Sequence, residues 1–89
     1  MTMFESINVW KRDSVNSLIL YRCFRNLATG RFSVQSADFY RLPIDADRVG
    51  FLERNYVQLL ADLSPEERSS SFATLVEAIE EHEREFRVE

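Results

Sequence analysis

The sequence predicts an α+β fold: a three-stranded antiparallel meander followed by an antiparallel pair of helices packed on one face of the sheet. Three observations carry this reading. Two runs rich in aromatic and branched residues, Leu18–Arg25 and Arg31–Gln35, flank the short loop Asn26-Leu27-Ala28-Thr29-Gly30, which is a hairpin signal. Val49, Leu52, Tyr56, Leu59 and Leu63 then recur at steps of three and four, the spacing of one helix face. Finally, Ser64-Pro65-Glu66-Glu67 joins an N-cap serine, a proline at the first helical position and a glutamate at the capping-box position.

Taken in order, the first strand is expected over about residues 3–11, where Ile7 and Val9 alternate with Asn8, and Phe4 and Trp10 hold the opposite parity. Asp13–Ser17 supplies turn formers. The second and third strands are expected over about 18–25 and 31–36, joined by a loop that Gly30 closes in the left-handed conformation. A rival reading makes residues 13–27 a helix capped by Asp13, but the crowding of Ile, Tyr, Cys and Phe favours the strand.

Register decides what the hairpin presents, because a slip of one residue exchanges the faces. Pairing Arg25 with Arg31 puts Leu18, Leu20, Phe24, Phe32 and Val34 on one face, with Arg22 as an unexplained intruder. The other face carries Ile19, Tyr21, Cys23, Arg25, Arg31, Ser33 and Gln35, with Phe4 and Trp10 assigned beside them. Pairing Arg25 with Phe32 would mix the two sets. Ser36–Ile44 reads as a connector stopped by Pro43. Helices follow over about 46–62, capped by Asp45 or Asp47, and about 65–86, with Phe72, Leu75, Val76, Ile79 and Phe86 turned inward. The near absence of a linker at Leu63-Ser64 implies that the two helices fold back on each other.

Eighty-nine residues make one domain. The longest apolar run, Leu18–Tyr21, is far short of the roughly 20 residues of a membrane span. Met1-Thr2-Met3-Phe4-Glu5 lacks the basic start and apolar stretch of a signal peptide. One cysteine, Cys23, allows no internal disulfide, so a cytoplasmic location is expected.

Chemistry is sparse. His82 is the only histidine and lacks ligands at metal spacing. Cys23 reads as a small buried apolar residue, and Ser69-Ser70-Ser71 as polar surface. With only Gly30 and Gly50 in the chain, a glycine-rich phosphate loop is excluded. No catalytic residue, cofactor site or metal site is expected, and the chain reads as a non-enzyme.

The expected function is therefore a small protein-interaction or regulatory module, a homo-oligomer or the binder of another protein. Its surface is expected on the half-apolar sheet face at Trp10, Tyr21, Arg25, Arg31 and Gln35, residue types that serve as interface anchors. The alternative is single-stranded nucleic-acid binding, with Trp10 and Tyr21 stacking on bases and Arg25, Arg31 and Arg41 on phosphates. Charge argues against it. Residues 1–44 hold six basic and three acidic side chains, but residues 45–89 hold five and twelve, and the net is −4.

Overall fold

The computed structural model describes residues 1–86. Strands β1 (Phe4–Ser14), β2 (Ser17–Asn26) and β3 (Phe32–Arg41) are followed by helices α1 (Ala46–Asp62), α2 (Pro65–Arg68) and α3 (Leu75–Phe86). The sheet is an antiparallel meander in the order β1-β2-β3. The chain is thus an α+β fold, a three-stranded meander followed by helices, and residues 17–26 are strand rather than helix.

Local chemistry explains the turns. Val15 and Asn16 join β1 to β2, and the hydroxyls of Ser14 and Ser17 share a hydrogen bond of 2.8 Å across the turn. At the second hairpin, Asn26 Oδ1 accepts from Ala28 N at 2.8 Å, and Gly30 N donates to Asn26 O at 2.7 Å. Gly30 has φ +73°, a conformation that a β-carbon would strain. Asn26 N donates to Arg31 O, so Arg31 belongs to the loop and the first ladder partner of Arg25 is Phe32.

This is the register that would have mixed the faces, and a β-bulge resolves it. Arg22 pairs with Ser36 and Cys23 with Val34, which leaves Gln35 as the extra residue. One inserted residue reverses the parity of the rest of a strand. Phe32 and Val34, ahead of the bulge, fall on the side of Arg25 and Cys23 through their pairing, not beside Leu20 and Phe24 as expected, and the bulge turns Asp38 and Tyr40 beyond it to the side of Leu20. Beyond the bulge, β3 continues to Arg41, five residues past the expected end. Leu18, Ile19 and Leu20 offer ladder partners to Tyr40, Phe39 and Asp38, so the presumed connector is strand. β1 likewise runs on to Ser14, because Arg12 and Ser14 find Leu18 and Ser17 opposite them.

The helices do not pair on one face. Side chains of a strand alternate between faces, and α1 and α3 engage opposite parities of β2. Leu20 packs with Tyr40, Leu52 and Val49 of the α1 side, whereas Ile19, Tyr21, Cys23 and Val34 pack with Ala78, Leu75 and Ile79 of the α3 side. Asp45 caps α1, accepting from the backbone of Asp47 and Arg48. Ser64 and Glu67 form the reciprocal capping box that starts α2. The helix expected over 65–86 is broken after one turn. Phe72 makes two backbone hydrogen bonds with Phe32, of 2.8 and 2.7 Å, and Ser69 Oγ donates to Val34 O at 2.8 Å. Serines are weak helix formers, and the chain from Ser69 to Phe72 lies along the edge of β3. That detour carries the chain from one face of the sheet to the other, where Thr74 caps α3 through Glu77 N.

Candidate functional site

The five residues expected to form one surface are distributed over three places. Tyr21 is 3% exposed. α3 covers it: its hydroxyl donates to Glu83 Oε2 at 2.7 Å and its ring stands edge-on to His82. Arg25 shares that side of β2 but is half-buried against Glu5, at 2.9 Å, with its N–H not aimed at the carboxylate oxygen. Gln35, the bulge residue, is buried and turned the other way, donating to Tyr56 O of α1 at 3.3 Å. Arg31 lies at the hairpin end and donates twice to Ser71, to Oγ and to the carbonyl, each at 3.0 Å. Trp10 is 55% exposed on the α1 side, tilted against Tyr40 with centroids 5.7 Å apart. The open sheet face is therefore corrected: α3 lies over it, and Tyr21 is core. Of the five, Trp10 alone is a largely exposed apolar group.

Arg22, the intruder of the sequence reading, is the centre of the α1 face. It is 2% exposed. Its Nε donates to Asp38 Oδ2 at 2.9 Å and its Nη2 to Glu53 Oε1 at 2.7 Å, while its guanidinium carbon lies 4.6 Å from the centroid of Tyr56. Burial opposes the charge and is the largest single influence, yet Glu53 and Asp38 together more than offset it, and the pKa of Arg22 is raised. Asp38 was hidden in the presumed connector and Glu53 in the polar complement of the α1 stripe. A lone arginine on an apolar strand face was the available signal, since a buried charge requires partners.

The remaining reactive groups are occupied or shielded. Cys23 is fully buried, and desolvation pushes its thiol up to about 12. His82 packs against Phe86 and Tyr21, and burial lowers its pKa despite Glu85 and Glu83 nearby. Beside α3 lies an open cleft of about 790 Å³, lined by Ile19, Phe39, Arg68, His82, Glu83 and others. Glu83 already receives Tyr21 and Lys11 there. Among the described residues no group of three metal-ligating side chains comes together. No helix among them is long and apolar enough to cross a membrane.

The two edges of the sheet are treated differently. The outer edge of β3 is covered: Phe32 pairs with Phe72, Val34 O receives Ser69, and Phe39 O receives the Arg48 guanidinium twice, at 3.2 and 3.1 Å. β1, eleven residues long, has β2 on one side and no described backbone or side chain bonded to its other row of amides and carbonyls. Unpaired strand edges of this kind are templates for another strand. Comparison with protein-family models, curated proteins and solved structures finds no match to this chain.

Proposed function

We propose that this chain is a non-enzymatic protein-interaction module that associates with a second copy of itself, and that the contact is the bare edge of β1. The observation that carries the reading is the contrast between the edges. Two separate segments, the stretch after α2 and Arg48 of α1, are spent on covering β3, and the longer β1 is left open. Trp10, exposed on that strand, adds the aromatic area typical of interface anchors. The polar groups of the interior favour a binding role over catalysis, because the buried Arg22 is held by Asp38 and by the exposed Glu53, and the Cys23 thiol is desolvated. A free, buried thiol is in keeping with the cytoplasmic location expected from the sequence.

Sedimentation equilibrium tests the reading directly. The protomer is 10.5 kDa, and a mass rising to twice that value with concentration is the expected result. A monomer throughout the range from about 1 μM to about 1 mM would set self-association aside.

A further inference from the structure

The geometry points to one register for this contact: two β1 strands pair antiparallel about a two-fold axis through Asn8, with Glu5 of each copy opposite Lys11 of the other. The inference rests on the self-association reading and specifies it.

The hydrogen-bond phase of β1 limits the choices. Phe4 pairs with Asn26, and Leu27 N donates to Met3 O at 3.0 Å. In an antiparallel ladder, hydrogen-bonded and non-bonded pairs alternate. Glu5, Ile7, Val9 and Lys11 therefore direct their backbone groups to β2, and Phe4, Ser6, Asn8, Trp10 and Arg12 direct theirs outward. A new ladder must pair outward residues with outward residues, which leaves axes through Ile7, Asn8 or Val9 near the middle of the strand. An axis through Val9 would set Glu5 against Asp13, a like-charge pair, and one through Ile7 would set Glu5 against Val9.

The axis through Asn8 satisfies charge and apolarity together. On the α3 side, Glu5 faces Lys11 and Ile7 faces Val9. Ile7 and Val9 are half-buried at the margin of the α3-side core, so the pairing continues that core from one copy into the next. Within each copy Arg25 lies across from Glu5 at 2.9 Å, and Lys11 Nζ lies 2.9 Å from Glu83 Oε2. Joined, they form a row of alternating sign: Arg25 and Glu5 of one copy, then Lys11 and Glu83 of the second. On the α1 side, Phe4 faces Arg12 and Trp10 faces Ser6. The product is a continuous six-stranded sheet with both uncovered edges used.

The test is a distance measurement on the intact chain. Arg12 is exposed, and a nitroxide on Arg12→Cys leaves the fully buried Cys23 unlabelled. With the axis at Asn8 the two labelled positions are eight residues apart along the paired strands, about 27 Å at the usual rise. Each one-residue shift of the axis changes this by about 7 Å. A dimer mass with a pulsed-dipolar distance near the first value supports the register. A dimer with a distance shifted by a full step, or with the labels beyond range, overturns it and leaves self-association standing; a parent chain, unlabelled, that stays monomeric at every concentration overturns both. Asn8→Pro supplies a second arm without a label, since it deletes one outward N–H and none bonded to β2. It should abolish the doubled mass with circular dichroism unchanged, and persistence of the dimer would overturn the register.

Discussion

The two faces of the sheet are held by different physics. Under α3, Ile19, Tyr21, Cys23, Val34 and Ala78 form an apolar layer, stabilised by surface removed from water and by close packing. Under α1, the apolar contacts of Leu20, Tyr40 and Leu52 surround a buried arginine, two carboxylates and the ring of Tyr56. The first face tolerates any apolar filling of the right volume. The second depends on specific partners, because the buried charges of Arg22 and Asp38 are acceptable only while each keeps its counter-charge. One strand, β2, carries both, with the apolar residues of the α3 side at odd positions and the charge at position 22.

The sharpest way to break the comparison is Arg22→Ala. It leaves Asp38 buried without its cation and should cost about 3–5 kcal/mol, read from the urea midpoint. Replacing Arg22 and Asp38 together by apolar residues should recover much of that loss. If the single variant denatured like the parent, the ion cluster would not organise the α1 face.

The apolar face should respond to volume instead. Ala78 is 1% exposed at the contact of α3 with the sheet, so Ala78→Leu should destabilise by about 1–3 kcal/mol through overpacking. A urea midpoint equal to the parent's in that variant would mean that α3 rides loosely on this face.

α1 and α3 each start at one side-chain N-cap, Asp45 and Thr74, which allows the faces to be compared with one chemistry. Asp45→Ala for α1 and Thr74→Ala for α3 should each cost about 1 kcal/mol, measured by thermal denaturation. A loss at Asp45 with none at Thr74 would show that α3 is held by packing alone.

The smallest effect is in pH. Burial lowers the pKa of His82 in the folded chain below its ordinary value of 6.5. Below that value the unfolded chain binds the proton more readily than the folded one, so stability falls as the pH drops through 6.5 towards the folded pKa. Melting temperatures over this window should fall more for the parent than for His82→Phe. Equal slopes would mean that His82 titrates alike in both states.

What was legible in the sequence was local. Asp45, Ser64 and Gly30 announce their caps and turn because each acts on backbone groups within three or four residues. The α1 stripe is visible because its period is written in adjacent turns. The cap of α3 was legible too, in Thr74-Leu75-Val76-Glu77, but the run of helix expected from Pro65 onward hid it. The candidate surface was less legible. Residues of β3 were grouped by parity from a register one residue away from the real one, so Gln35 fell on the wrong side, and Trp10 was placed beside Tyr21 although it pairs with Leu20.

The sequence by itself determined the meander, the caps and the chemistry of β2, whose alternating apolar and charged residues belong to a strand wherever its neighbours lie. Tertiary structure alone decided which face each helix covers. Residues 69–74 have no strong local preference, so the edge amide and carbonyl of Phe32 could draw them out of a helix and around the sheet. The bulge at Gln35 then set the facing of the later half of β3, turning Asp38 and Tyr40 to the α1 side. The partners of Arg22 lie 16 and 31 residues away, beyond the reach of any local pattern, and burial made those contacts obligatory once the strand had formed.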